Sequence, residues 1–429
     1  MSNTGEKARS AKIASYELAK ATAIEKDGAL RRIADRLFDM QDDIVAANAK
    51  DLEAAEGQIS KALYQRLRFD NKKLKGAVAG IESLISLPDP IGETRSAMEL
   101  SEGLELFNVT SSIGVIGCVF ESRPDALVQI STLCLKSGNS VILKGGSEAA
   151  NTNKILYESI NSASRGEGIP AGWIQLVESR QEVAELLTLD EHIDLMIPRG
   201  SNDFVRHIQE NTRIPVLGHA AGICHVYIDE AADIEMAKAI ALDSKTQYPA
   251  VCNAMETLLV HEDIAEGLLP DLWDLLAEAG VVGKGCEEAR RIIPALEPAK
   301  KEDWHTEYND LVLNVKVIES VRDATVWINE YGSHHTDAIV TEDPGNARYF
   351  LESVDSSSVM WNASTRFSDG FRYGLGAEVG ISTGKVHARG PVGLEGMTTY
   401  KWILKGGGQT VGAHPDDMFT HKPLKKKWA

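Results

Sequence analysis

Between residues 112 and 228 short apolar runs alternate with helical ones, and few folds accept that rhythm. The run GVIGCVF (114–120) is apolar throughout, as a strand covered on both faces must be. Pro124 then opens the helical stretch DALVQISTLCLKSG, with Gly138 at its stop. The pattern continues through the strand SVILK (140–144), the loop GGSEAANTN, a helix near 153–164 and the strand WIQLVE. The helix QEVAELLTL, the strand IDLMI (193–197) and a helix after Arg199-Gly200-Ser201 complete it. Strands spaced by helices form βαβ units on a parallel sheet, with ligands at the C-terminal strand ends. Lys144-Gly145-Gly146-Ser147 and Arg199-Gly200-Ser201 both lie at such ends.

The flanking regions read differently. From about 8 to 85 the pattern is helical, with Leu30, Ile33 and Leu37 on one face. Between 88 and 107 a turn-rich stretch leads into MELSEGLELF, where alternation around a Glu-Gly pair predicts a hairpin whose edges a partner subunit could cover. A second alternating α/β region runs from about 229 to 390, through DIEMAKAIALDSKTQ, METLLVH, DLVLNVKVI, INEYGSHHTDAIVTED and SSVMWNAS.

Charge narrows the function classes. With 45 Lys+Arg against 63 Asp+Glu the net charge is −18, which argues against a nucleic-acid or anionic-membrane binder. The basic run in the tail KPLKKKWA reads as a solvated terminus. The 5 cysteines are scattered, odd in number and without a CxxC, which argues against a disulfide framework or thiolate metal site and for a reducing compartment. The first residues, MSNTGEKARSAKIASYELAKA, have no signal-peptide core, and no long apolar run suggests a membrane span, so a cytoplasmic location is expected.

Few residues could carry chemistry. Cys252, in YPAVCNAMETLLV, sits where a turn meets an apolar strand; there a thiol is either a positioned nucleophile or a buried inert cysteine. Cys118 and Cys134 lie inside an apolar strand and helix and are core. Gly374-Leu-Gly376-Ala-Glu-Val-Gly380 imitates a dinucleotide fingerprint without the strand and helix that should flank it. The Lys144 turn has the better context, as a phosphate or ribose site or as a plain strand-to-helix turn. Arg123, Arg199 and Arg366 stand in Gly- or Pro-rich turns, as anion clamps or as surface ion pairs. Histidines show no metal-ligand spacing, so no metal is expected.

Taken together, several long blocks resemble the gamma-glutamyl phosphate reductases, a family of the aldehyde dehydrogenase superfamily. They are GVIGCVFESRPDALVQISTLCLKSGNSVILKGGSEA (114–149), IDLMIPRGSNDFVRHIQ (193–209), IPVLGHAAGICHVYID (214–229), YPAVCNAMETLLVH (248–261), HTDAIVTED (335–343) and the stretch 357–402 from SSVMWNASTRFSDG to MTTYKW. The resemblance covers nearly the whole chain. It implies an α/β fold with a Rossmann-type cofactor domain (1–93 and 111–228), a catalytic domain (229–392) and an oligomerisation hairpin with the C-terminal segment (94–110 and 393–429).

By this resemblance Cys252 falls on the superfamily's catalytic cysteine, with Asn253 as an oxyanion donor. Lys144 falls on the lysine that holds the cofactor's adenosine ribose, with Gly145, Ser147 and Glu148 in the turn beyond and Arg199, Gly200 and Ser201 as further cofactor contacts. Glu307 falls near the glutamate that holds the nicotinamide ribose. Where hydrolytic relatives carry a water-activating glutamate in ELGG, this chain has LGHAAG with His219; where they carry an oxyanion asparagine, ESRPD places Ser122. Loss of that carboxylate suits a thioester that exchanges with phosphate. Arg123 is assigned to the acyl phosphate, and Ser364, Thr365 and Arg366 to the substrate α-carboxylate.

The implied activity is NADPH-dependent reduction of L-glutamyl 5-phosphate to L-glutamate 5-semialdehyde and phosphate, in proline biosynthesis, by a homo-oligomer, dimer or tetramer. The resemblance leaves open transient association with glutamate 5-kinase. The alternatives are a hydrolytic or CoA-acylating aldehyde dehydrogenase, which would turn over without phosphate, and a non-catalytic nucleotide-binding protein indifferent to Cys252→Ser. If the reading holds, Lys144, Arg123 and Arg366 converge on one cleft.

Overall fold

The computed structural model describes residues 2–165, 168–218, 221–375, 378–413 and 416–428. The chain forms two compact units, one of Met1–Leu217, Leu375–Gly380 and Val392–Ala429, the other of Gly218–Gly374 and Ile381–Pro391.

The first unit starts with helices α1 (Asn3–Leu18), α2 (Ala23–Asp39), α3 (Gln41–Ala55), α4 (Lys61–Leu67) and α5 (Asn71–Ser86). Thr22 and Glu25 close a reciprocal capping box on α2, satisfying N–H groups that a helix start leaves unpaired. Leu30, Ile33 and Leu37 are fully buried, as their spacing predicts. A hairpin follows, β1 (Thr94–Ser101) and β2 (Leu104–Ser112), turning at Gly103, whose φ of 70° favours a residue without Cβ.

Next come β3 (Val115–Phe120), α6 (Pro124–Lys136), β4 (Ser140–Lys144), α7 (Ala150–Ser164), β5 (Ile174–Leu176), α8 (Arg180–Leu186), β6 (Leu195–Arg199) and α9 (Asn202–Glu210). The four strands form a parallel sheet in the order β5-β4-β3-β6, and all of β3 is buried. The order reverses between β3 and β6, and such a switch point opens a crevice at the carboxyl ends of the two strands. β6 starts and ends later than its apolar run predicts. The Asp194 carboxylate accepts the Val115 N–H at 2.8 Å and Lys12 Nζ at 2.7 Å, while Pro198 and Arg199 still pair with β3.

The second unit holds β7 (Cys224–Ile228), α10 (Ile234–Thr246), β8 (Met255–His261), α11 (Glu262–Glu278), β9 (Val282–Gly285), α12 (Glu287–Ile292), β10 (Glu297–Pro298), β11 (Val312–Ile318), α13 (Val321–Tyr331), β12 (Thr336–Val340), α14 (Pro344–Ser353) and β13 (Ser358–Trp361). These strands form one parallel sheet in the order β10-β9-β11-β8-β7-β12-β13. The central β7, β8 and β12 are buried residue by residue, which explains their largely apolar texture, and polar residues within them, such as His225 and Asp337, pair with each other. The expected boundary at 228 is corrected here: β7 pairs with β8 and β12, so the chain crosses between units at 217/218.

The short strands β14 (Ile381–Ser382) and β15 (Gly390–Pro391) precede β16 (Thr398–Lys405) and β17 (Lys422–Pro423). β16 pairs with β2 and β17 with β1, giving an antiparallel sheet in the order β16-β2-β1-β17. The edge strand β16 leaves Tyr400, Trp402 and Leu404 exposed. Among the described residues no helix is long and apolar enough to cross a membrane.

Candidate active site

Five cysteines compete for the role of nucleophile, and their surroundings separate them. Burial pushes the Cys118 thiol up to about 12, and those of Cys134 and Cys224 well above the ordinary range. Cys286 is half-buried, but its Sγ accepts the Ala289 and Val317 N–H groups, each at 3.4 Å. Cys252 is half-buried in the loop between α10 and β8. Its position at a turn follows from the Ala254 N–H donating to the Val251 carbonyl at 3.0 Å.

The backbone of Cys252 is held from the segment leading into β7. The Cys224 thiol donates to the Cys252 carbonyl at 3.2 Å. A Cβ on Gly222 would come within 2.1 Å of the Cys252 carbonyl oxygen and 2.6 Å of its Cα, so only glycine admits this approach. The Asn253 side chain, 4 % exposed, donates through Nδ2 to the Ser368 carbonyl at 2.8 Å. It ties the nucleophile turn to the segment after Arg366, and any oxyanion would have to share that amide.

Ser364, Thr365 and Arg366 stand beside the same loop. The Ser244 hydroxyl of α10 donates to Ser364 Oγ at 3.1 Å and accepts the Thr365 N–H at 3.3 Å. Ser364 and Thr365 are 5 % and 0 % exposed, and the Ser364 hydroxyl and the Thr365 N–H brace the end of α10. Arg366 Nε donates to Gln247 Oε1 at 3.0 Å. Burial pulls its guanidinium below the ordinary value, Arg372 adds to that, and Cys252, Asp369 and Asp243 favour the charge. The cation and the thiol are therefore electrostatic neighbours.

All of this lies at the N-terminal edge of the parallel strands, the reverse of the usual rule for open α/β sheets. At the opposite edge Glu230, His261 and Asp263 bring donor atoms within 4.8 Å, but two of the three are exposed and the group is remote in the fold from Cys252.

Sequence reasoning missed one feature. Lys245 of α10 and Glu256 of β8 form an ion pair at 2.7 Å with both side chains 0 % exposed. Glu256 Oε1 also accepts the Asn309 N–H at 3.2 Å, and Glu307 lies close enough to raise its pKa further. The available signal was a carboxylate inside the otherwise apolar strand METLLVH. Glu307 itself is half-buried in the turn before β11.

At the switch point of the first unit two arginines stand among carboxylates. Arg123 follows β3 and bonds Asp125 at 2.8 Å; Arg199 ends β6. Arg199 Nη1 is enclosed without a hydrogen-bond partner among the described residues. Burial pulls the Arg199 guanidinium below its ordinary value and the Arg123 charge adds to it, against Glu378 and Asp125. Beside it, Gly200 and Ser201 are exposed, and the Ser201 N–H donates to Glu121 Oε2 at 3.1 Å.

Across β4 the half-buried Lys144 precedes a shallow cavity lined by Gly145, Gly146, Ser147, Ala150 and Asn153. Burial holds the Lys144 ammonium below its ordinary value, with Glu148 opposing and Arg180 assisting. Ser122, at φ 37° and 2 % exposed, donates its N–H to Glu148 Oε1 at 2.8 Å and its hydroxyl to the same oxygen. The Ser122 hydroxyl therefore supports the Lys144 turn. An orphaned guanidinium nitrogen and a half-buried ammonium at strand ends fit the phosphates and ribose of a nucleotide. His219 lies outside the described residues.

Comparison with known proteins gives the family. The aldehyde dehydrogenase family model matches residues 2–311. A gamma-glutamyl phosphate reductase of Acetivibrio thermocellus is 55% identical over 426 residues, 99% of each chain. One from Natronomonas pharaonis is 51% identical over 435 residues, again 99% of each. The crystal structure of the Thermotoga maritima gamma-glutamyl phosphate reductase superposes with a TM-score of 0.93 at 40% identity, covering 95% of this chain and 100% of that one. The chain therefore belongs to the aldehyde dehydrogenase family, and within it to the gamma-glutamyl phosphate reductases.

Proposed function

We propose that the chain reduces L-glutamyl 5-phosphate to L-glutamate 5-semialdehyde and phosphate, the second step of proline biosynthesis, with NADPH as reductant and Cys252 as nucleophile. The observation that carries the reading is the half-buried Cys252, held by its backbone beside Arg366 in a chain whose other thiols are buried or engaged.

The Cys252 thiolate attacks the acyl phosphate carbonyl; the carbon–oxygen bond to phosphate breaks and a thioester remains. When bound, the nicotinamide supplies the hydride that takes this thioester to a hemithioacetal. Cleavage of the carbon–sulfur bond then releases the aldehyde and returns the thiolate to Cys252. The segment LGHAAG offers no carboxylate to activate water, which favours exchange with phosphate over hydrolysis. Arg366 serves the substrate α-carboxylate, and Arg123 the phosphate.

Lys144, Gly145, Ser147 and Glu148 hold the adenosine end of the cofactor, Arg199, Gly200 and Ser201 its phosphates, and Glu307 the nicotinamide ribose. The two cations Lys144 and Arg180 acting on each other at this turn support a cofactor with the extra 2′-phosphate. The exposed Tyr400, Trp402 and Leu404 on an edge strand support a homo-oligomer.

The test supplies glutamate semialdehyde and NADP⁺ and follows reduced cofactor with and without phosphate. Steady turnover should require phosphate and vanish in Cys252→Ala. Phosphate-independent oxidation would exclude the reductase reading, and an active Cys252→Ala variant would exclude the thioester.

A further inference from the structure

Glu256 is an expensive residue to place in a buried strand. A carboxylate and an ammonium removed from water lose hydration that their mutual attraction only partly returns, so a strand needing only to be filled is better served by apolar side chains. What the pair provides is a connection among three segments. Glu256 stands at the start of β8, four residues beyond the nucleophile. Its Oε2 accepts from Lys245 Nζ at 2.7 Å, at the end of the helix that leads into the nucleophile loop. Its Oε1 accepts the Asn309 N–H at 3.2 Å.

That second bond reaches the turn that carries Glu307. Asn309 adopts φ 55°, a left-handed conformation that costs energy for a side-chain-bearing residue and needs support from its surroundings. Between Glu307 and Asn309, the Tyr308 hydroxyl lies 3.1 Å from Asp303 Oδ1 and 3.0 Å from Asn314 Oδ1. Glu307 therefore sits beside two successive anchored residues, one held by a side-chain hydroxyl and one by the backbone bond to Glu256.

We propose that Glu256 is a positioning residue that sets the turn bearing Glu307 relative to Cys252, and so aligns the hydride donor with the thioester carbon. The inference rests on the function proposed above, in which Glu307 holds the nicotinamide ribose and Cys252 the acyl group. Around Glu256 the facing charged or titratable groups are Lys245 from α10, Cys224 from β7 and Glu307 from the turn, with Asp310 acting on Lys245.

Removing Glu256 alone would leave the Lys245 charge buried without a partner, so the test uses paired changes. Lys245→Met with Glu256→Leu removes both charges and the acceptor for Asn309. Lys245→Met with Glu256→Gln removes both charges and keeps an amide oxygen at that place. Two rates are read: iodoacetamide alkylation of the Cys252 peptide by mass spectrometry, and the first-turnover burst of NADP⁺ reduction with glutamate semialdehyde in the absence of phosphate. In the Leu variant the burst rate should fall about 100-fold while alkylation stays within about threefold of wild type. In the Gln variant the burst should stay within about fivefold. Equal loss of both rates in the Leu variant, an unchanged burst there, or a Gln variant as slow as the Leu variant would each overturn the proposal. A wild-type protein that reduced no NADP⁺ at all would instead overturn the reading of function, and this inference with it.

Discussion

The thiol of Cys224 donates to the main-chain carbonyl of Cys252 across 3.2 Å, so one cysteine holds the backbone of the other. The donor is itself buried and raised well above the ordinary thiol range, which keeps its proton in place for that bond.

The same contact makes Gly222 intolerant of a side chain. In Gly222→Ala the new Cβ would meet the Cys252 backbone, which cannot rotate away as a side chain could. Overpacking of this kind costs about 1–3 kcal/mol. Displacement of Cys252 by about 1 Å should lower kcat by about 100-fold. Thermal unfolding and the Cys252 alkylation rate check the two effects separately; Cys224→Ser, which keeps a donor, should change kcat by no more than about threefold.

Burial pushes the Glu256 carboxyl up to about 7, with Lys245 and the Asn309 N–H opposing. Its folded-state pKa exceeds the unfolded value, so the folded chain binds the proton more tightly between about 4.5 and 7. This contribution to stability is fully present below that window and lost as pH rises through it. The stability difference between wild type and the Lys245→Met, Glu256→Leu variant, from urea unfolding at a series of pH values, should therefore shift against wild type from acid to neutral pH. Lys245, held by burial below its ordinary value, contributes a slope of the opposite sign, since there the unfolded chain binds the proton more tightly.

Arg123 is bonded to Asp125 and stands next to Arg199 at the switch point of the first sheet. In Arg123→Ala the KM for phosphate in the oxidative direction should rise about 10-fold or more, the worth of a charge-assisted hydrogen bond. The KM for NADP⁺ should change less. An unchanged phosphate KM would remove Arg123 from the anion site.

Arg366 is placed by Gln247 through Nε, which leaves the rest of its fork for a carboxylate. Arg366→Lys keeps the charge and loses the fork. The KM for glutamate semialdehyde should rise about 10-fold, while turnover of pentanal, which has no α-carboxylate, should stay within about threefold.

Much of this was legible in the chain. The parallel sheets followed from apolar runs such as 114–120 and 140–144, because a strand covered on both faces has no polar alternation to obscure it. Cys252 stood out because a turn meets a buried strand there, and the Lys144 and Arg199 turns because they end strands. β7 was assigned to the wrong unit because its pairing with β8 and β12 joins residues far apart in sequence, and no local pattern records such pairing.

Sequence by itself determined the fold class and the family and singled out Cys252, since each depends on local periodicity or on long ordered blocks of residues. Only the tertiary structure showed what Ser122, Ser364 and Thr365 touch: the Ser122 and Ser364 hydroxyls meet Glu148 and Ser244, and the Thr365 backbone N–H donates to Ser244 Oγ. It alone joined Lys245 to Glu256 and Cys224 to Cys252. The reason is physical. Hydrogen bonds and ion pairs depend on distance in space, and a chain folded into parallel strands makes neighbours of residues whose separation along the sequence carries no trace of it.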